Sequence, residues 1–417
     1  MNSDLYTLAS FIDSVDGDVF AKALPFQQYH DDYQAKGYLT YRRIATTGPD
    51  TTVRVYDPEA GREREFVMFG SNNYLGLATH PKVIEAAVEA TRRYGAGSGG
   101  ASLLCGTSRL HRELEERIAA FEGFEDALVF PSGYAANLGA IAALARKGET
   151  ILFDKLVHAS MIDGVRLSEA DAHAFRHNGV AHLETLLTQR VRGPGGKLIV
   201  VDGVYSMDGD IPPLPQIVEL AKRHGARVLV DEAHATGVMG PTGRGTVEHF
   251  GLGGKVDLVM GTFSKALGSQ GGFLASSREV VNYLRYYSRA YFFSTSPPPA
   301  QAAAALAALL LIDAERWRLE RLWDNVSFLR GKLRDLGFDC LESRSAIVPV
   351  VTADELATRR IGKRLHELGV YANPILYPAV PRRKPRIRLS VMSSHTRADL
   401  DRAIEALETA GREFGVL

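Results

Sequence analysis

Arg227-Val228-Leu229-Val230 followed by Asp231-Glu232-Ala233-His234 reads as a short, wholly apolar strand that delivers a carboxylate at its carboxyl end. A continuous apolar run bounded by polar residues marks a strand buried on both faces. The same pattern recurs at residues 127–130, 151–153, 198–201, 258–260 and 272–275. Helical patterns separate these runs, and the strand, helix, strand rhythm predicts an α/β fold with a mainly parallel sheet covered on both sides. In such a sheet, ligands gather at the carboxyl edge of the strands, which makes Asp231 a candidate site residue.

Outside this stretch the pattern changes. Residues 1–60 are polar, dotted with aromatics and weakly periodic, as expected of an N-terminal arm that makes dimer contacts. Residues 61–298 form the expected large domain. After Pro297-Pro298-Pro299 a helical stretch is expected over 300–336, because proline suits the first turn of a helix. Strands at 346–351 and 386–391 and a closing helix at 398–411 complete a smaller α+β domain over 299–417.

Composition narrows the function classes. A chain of 417 residues with 45% hydrophobic content can bury a large core. Lys+Arg and Asp+Glu balance at 49 each, so no net field favours nucleic acid or an anionic membrane. Cys105 and Cys340 are too few for a disulfide framework. The start Met1-Asn2-Ser3-Asp4-Leu5 has no basic region ahead of an apolar one, so no signal peptide is expected. The apolar stretch 302–312 is too short to span a bilayer. A cytoplasmic enzyme with no integral membrane segment is the expectation.

The chemistry-bearing run is Gly261-Thr262-Phe263-Ser264-Lys265-Ala266-Leu267-Gly268. A lysine that forms a Schiff base with an aldehyde needs hydroxyl and amide donors nearby to hold the cofactor's phosphate. Thr262 and Ser264 supply hydroxyls, and Asp231 can keep a pyridine nitrogen protonated. Together they point to pyridoxal 5'-phosphate (PLP). Asp-Glu-Ala-His alone also matches a helicase Walker B box, but that reading requires an upstream P-loop, which the sequence lacks. Further candidates lie at strand exits. Ser132-Gly133-Tyr134 opens a helix whose first N–H groups can seat a phosphate. His158 can stack on a flat ring, and Ser206 can bond its phenolic oxygen. No metal is expected.

In order along the chain, Gly97-Ser98-Gly99-Gly100, Gly106-Thr107, Ser132-Gly133-Tyr134, His158-Ala159-Ser160, Gly203 to Gly209, Asp231 to His234, Gly243-Arg244-Gly245, Thr262 to Lys265 and Ser294-Thr295 resemble the α-oxoamine synthase family. That family includes serine palmitoyltransferase, 8-amino-7-oxononanoate synthase, 2-amino-3-ketobutyrate CoA ligase and 5-aminolevulinate synthase. The resemblance runs from about residue 66 to about 407 and is nearest to bacterial serine palmitoyltransferases. It implies a fold type I, aspartate aminotransferase-like PLP enzyme that works as a homodimer with shared active sites. By resemblance Lys265 is the Schiff-base lysine, Asp231 the partner of the ring nitrogen and His158 the stacking residue. Ser206 and His234 surround the phenolic oxygen. Ser132, Gly133, Tyr134, Thr262 and Ser264 surround the phosphate, which Ser294 and Thr295 reach from the neighbouring subunit. Asn72 lies near the substrate and Arg388 holds its carboxylate. Arg386 shares a strand face with Arg388, two residues away, so spacing alone does not choose between them.

The implied reaction is a decarboxylative Claisen condensation of a small L-amino acid with an acyl thioester, carried by coenzyme A or an acyl carrier protein. Its products are an α-amino ketone, carbon dioxide and free thiol. Departures from the family pattern bear on the substrates. Gly100-Ala101-Ser102 lacks the family's usual arginine, and the small Ala101 leaves space for a side chain where 5-aminolevulinate synthases carry threonine. Alanine or serine is therefore expected over glycine. Arg382, Arg383 and Lys384 form a basic cluster, read first as a solvated surface feature. The alternatives are an aminotransferase on the same architecture and a non-catalytic partner subunit, against which Lys265 speaks.

Overall fold

The computed structural model describes residues 2–12, 17–57, 61–191 and 193–417. The chain divides into two compact units, one comprising Met1–Ser71, Met207–Gly209 and Arg321–Leu417, the other Asn72–Ser206 and Asp210–Glu320.

The first unit contains three N-terminal strands, β1 (Ile44–Ala45), β2 (Thr52–Asp57) and β3 (Arg62–Met68). They pair antiparallel in that order. The N-terminal stretch is more regular than its weak periodicity predicts, since it also holds the helix Ala23–Ala35. Tyr29, Tyr33 and Tyr38 pack together there, with Tyr29 and Tyr33 stacked at 5.6 Å.

The second unit is built on seven strands, β4 (Asp126–Phe130), β5 (Thr150–Asp154), β6 (Asp171–Phe175), β7 (Lys197–Asp202), β8 (Arg227–Asp231), β9 (Leu258–Thr262) and β10 (Gly272–Ser276). Their order across the sheet is β4-β10-β9-β8-β7-β5-β6. The neighbours from β6 to β9 pair parallel, and β10 runs antiparallel to both β9 and β4. Every residue of β4, β9 and β10 is buried, as the unbroken apolar runs predict. The helix Leu214–His224 ends in Lys222, Arg223 and His224, and Gly225 turns left-handed at φ 61° to feed β8. Basic residues favour the carboxyl end of a helix, and glycine adopts a positive φ without steric cost.

The helix expected over 300–336 is two helices, Pro299–Ala314 and Trp317–Asp335. The first is buried and alanine-rich, the second polar and amphipathic. Neither proline nor glycine marks the break; Glu315 leaves the first helix and accepts a hydrogen bond from Arg318 at 2.7 Å. The remaining strands belong to the first unit: β11 (Ile347–Val351), β12 (Val370–Tyr371), β13 (Asn373–Ile375) and β14 (Arg386–Ser390). β14 lies between β11 and β13, and β12 adds parallel to β3. Among the described residues no helix is long and apolar enough to cross a membrane.

Candidate active site

At the carboxyl edge of the seven-stranded sheet lies a cavity of about 250 Å³, lined by Ser132, Gly133, Tyr134, His158, Ser206, Asp231, His234, Thr262, Ser264 and Lys265. These predicted residues arrive from five strand exits. They are 133 positions apart in sequence at the extremes, yet parallel strands put their carboxyl ends side by side. A larger cavity of about 720 Å³ opens at the opposite edge, against Leu198, Arg227, Leu258 and Val280. It contains none of the predicted residues.

One end of the site is an anion seat. Ser132 caps the helix Gly133–Leu144 by accepting a hydrogen bond from Ala135 N at 3.1 Å. That leaves early N–H groups of the helix facing outward at its positive end. Gly133 is needed for close packing, because a Cβ there would stand 3.1 Å from Thr262 Cβ. The Thr262 hydroxyl donates to Gly271 O and lies 2.9 Å from Ser264 Oγ.

The other end is a chain of hydrogen bonds. Asp231, buried at the end of β8, accepts from Ala233 N at 2.8 Å and from Asn137 Nδ2 at 2.7 Å. Asn137 Nδ2 also donates to Ser160 Oγ, which pairs with His158 Nδ1 at 2.8 Å. His158 Nδ1 accepts from Ser160 N as well, which fixes the imidazole at the start of the helix Ala159–Ser168. On the far side, His234 Nδ1 meets Tyr74 Oη at 2.8 Å, and Tyr74 donates to Asn72 Oδ1 at 3.3 Å. Asn72 thus connects to the site through Tyr74.

Asp202 ends β7 directly opposite Asp231 in the parallel register. Burial raises its carboxyl well above the usual range, and the neighbouring Asp231 raises it further. Two carboxylates buried on adjacent strands resist ionising together, and the charged form of Asp202 is disfavoured.

A sequence profile of the aminotransferase class I and II family matches residues 64–407. The 8-amino-7-oxononanoate synthase of Symbiobacterium thermophilum is 45% identical over 354 residues, covering 85% of this chain and 90% of its own. The chain belongs to the α-oxoamine synthases. The 4-hydroxy-2,2'-bipyrrole-5-methanol synthase PigH of Serratia sp. is 41% identical over 413 residues, 99% of this chain, which spans 63% of that longer protein. Serine palmitoyltransferase from Sphingomonas wittichii superposes with a TM-score of 0.91 at 36% identity, covering 96% of this chain and 100% of that one. The enzyme from S. paucimobilis, solved with PLP and myriocin bound, matches to the same degree.

α-Oxoamine synthases are PLP-dependent acyltransferases, and the cavity of this synthase fits the cofactor. Asn137 Oδ1 is buried without a protein partner, beside a carboxylate that suits a protonated ring nitrogen. The glycine-lined helix start suits the phosphate. Asn137, Ser160, Asp202 and Tyr74 were not singled out from the sequence. Asp202 had a legible signal, since it ends an apolar strand just as Asp231 does. Asn137 had none, because a helical asparagine one turn after a cap is common. Ser294 and Thr295 are not among the residues lining the cavity. Thr295 is exposed and bridges to Ala101. Arg388 lies buried in the middle of β14, paired in register with Pro349 and Asn373 in the first unit. Arg386 is committed to an ion pair with Asp208 and a 3.1 Å bond to Met207 O.

Proposed function

We propose that this synthase joins a small L-amino acid, alanine or serine in preference to glycine, to an acyl thioester of coenzyme A or an acyl carrier protein. The α-carbon forms a bond to the acyl carbon, the thiol leaves, the amino acid's carboxylate departs as carbon dioxide, and a proton returns to the α-carbon. The observation that carries the reading is Lys265 lining one cavity with Asp231, His158 and a helix-start anion seat. PLP, when bound, supplies an electron sink that makes the α-carbon acidic.

The protein's own groups supply the rest. Lys265 Nζ holds the cofactor covalently and then takes and returns the α-proton. Asp231 would pair with the ring nitrogen and favour its protonated form, and His158 would stack on the ring. Ser206 and His234 bond the phenolic oxygen. Ser132, Gly133, Tyr134, Thr262 and Ser264 hold the phosphate, with Ser294 and Thr295 serving the site of a second copy in a homodimer. Arg388 binds the substrate carboxylate as a planar, bidentate donor. The commitment of Arg386 to Asp208 supports this choice. Asn72 faces the substrate. Ala101, a small residue, supports acceptance of a side chain larger than hydrogen.

Mixing PLP-loaded protein with glycine, alanine or serine and a panel of acyl-CoA and acyl-carrier thioesters tests the proposal. Thioester-dependent release of both carbon dioxide and free thiol, fastest with alanine or serine, is expected. Fastest turnover with glycine would overturn the amino-acid assignment. Conversion of the cofactor to its amine form without thiol release would instead identify an aminotransferase.

A further inference from the structure

Outside the residues that line the cavity, a second polar cluster ties together two of the loops that supply it. His177 follows β6. Its Nδ1 lies 3.0 Å from Asp154 Oδ1, and its Nε2 lies 2.8 Å from Asp210 Oδ2. Asp154 is fully buried at the end of β5, four residues before His158. Asp210 stands four residues after Ser206. The turn is tailored to this contact: Asn178 takes φ 53°, donates its N–H to Asp154 Oδ2 at 2.7 Å and its Nδ2 to Asp210 Oδ2 at 2.9 Å. Buried Tyr205, the neighbour of Ser206, meets the His177 ring edge-on at 4.5 Å, and its N–H donates to Asp210 O.

Carboxylates only accept hydrogen bonds, so a ring that faces one at each nitrogen must carry a proton on both. We propose that His177, doubly protonated between Asp154 and Asp210, is a positioning residue that locks the β5 and β7 exit loops and so keeps His158 and Ser206 in register with the cofactor. The inference rests on the cavity being the PLP seat. Its charge state agrees with the electrostatics: burial opposes the charge, but hydrogen bonds to Asp154 and Asp210 outweigh it and lift the pKa to about 10. Without the imidazolium, two carboxylates on separate loops would repel across the gap, and the loops carrying His158 and Ser206 would part.

The first test is ¹⁵N NMR of the apo-protein, with the His177 signals assigned by their loss in His177→Gln. Both ring nitrogens are expected to stay protonated at pH 8; a ring with one bare nitrogen there overturns the proposal. The second test measures PLP dissociation and the visible circular dichroism of the bound cofactor. His177→Gln is expected to weaken PLP binding about tenfold, the scale of one lost charge-assisted hydrogen bond, and to diminish the dichroic band. Adding Asp210→Asn to His177→Gln removes the uncompensated carboxylate and is expected to recover most of both signals. A double variant worse than either single one, or an unchanged dichroic band in a merely less stable His177→Gln protein, overturns the positioning role. If His177→Gln does not fold, sequence-specific assignment of the wild-type protein identifies the His177 signals, and the same NMR measurement decides the matter. Lys265→Ala separates this failure from that of the cavity assignment: a covalent cofactor band that persists in Lys265→Ala would sink the PLP seat itself.

Discussion

The two aspartates at the ends of β7 and β8 are chemically alike but differently partnered. Asp231 accepts two N–H donors, from Ala233 and Asn137. Asp202, beside it in register, is pushed up by burial and by Asp231. A neutral carboxyl is mimicked by an amide, so Asp202→Asn is expected to retain PLP affinity, read by cofactor titration. With Asp231 in its proposed role as partner of the ring nitrogen, Asp231→Asn is expected to lower turnover at least about a hundredfold, the scale of removing one preorganised electrostatic group. Similar losses in both variants, measured in steady-state assays, would refute this difference between the two aspartates.

Elements act by placing backbone where side chains cannot reach. β10 is the antiparallel intruder in the sheet, and it runs directly beneath the phosphate seat. A Cβ at Gly272 would lie 2.5 Å from both Cα and N of Gly133, so backbone must move to admit it. Gly272→Ala is expected to cost roughly 1 to 3 kcal/mol of stability as an overpacked core site and to weaken PLP binding as well, because the displaced residue opens the phosphate-binding helix. Thermal melts with and without PLP check both effects; equal melting temperatures for Gly272→Ala and wild type would refute the contact. The close approach of Gly133 and Gly272 leaves no room for a side chain at the helix start or at the strand residue beneath it.

Across the whole molecule, two buried groups pull stability in opposite directions with pH. His395 is buried and stacked on Phe69 at 4.2 Å; it donates from Nε2 to Met68 O and accepts at Nδ1 from Met392 N. Burial lowers its pKa to about 4, against a slight lift from the Met68 bond. The folded chain therefore keeps it neutral, and its contribution is present above pH 6.5 and lost as pH falls towards 4. Glu232 is the reverse: burial raises its pKa to about 7 despite hydrogen bonds from Thr246 N and Val247 N. Its contribution is present below 4.5 and lost as pH rises through 7. Across pH 4.5 to 6.5 the two slopes oppose one another in the intact chain. His395→Asn is expected to unmask a melting temperature that falls as pH rises through this window, and Glu232→Gln one that falls as pH drops. Parallel pH profiles for wild type and both variants would show that neither group contributes.

Continuous apolar runs made the parallel sheet legible in the sequence, because a strand buried on both faces must be apolar along its whole length. Asp231 stood out as a polar residue where an apolar strand ends, the edge at which open sheets hold ligands, and Lys265 through the hydroxyls of Thr262 and Ser264 beside it. Short runs around a glycine, as at Ser132-Gly133, could be read because helix starts leave N–H groups unpaired. Tertiary structure alone decided which polar residues join them. Asn137, Ser160 and Tyr74 carry no local signature, since a hydrogen bond between residues 94 apart, as between Asn137 and Asp231, depends on strand order rather than on spacing. The split between Ala314 and Trp317 was equally silent, because a continuous helical propensity does not record where a buried apolar helix must give way to an amphipathic one. Strand order also turned Asp202 into the neighbour of Asp231 and brought His177, on the turn after the edge strand, between Asp154 and Asp210. Sequence pattern determines which face of an element is apolar; only the packed sheet determines which ends meet, because that is set by crossovers that no local run of residues encodes.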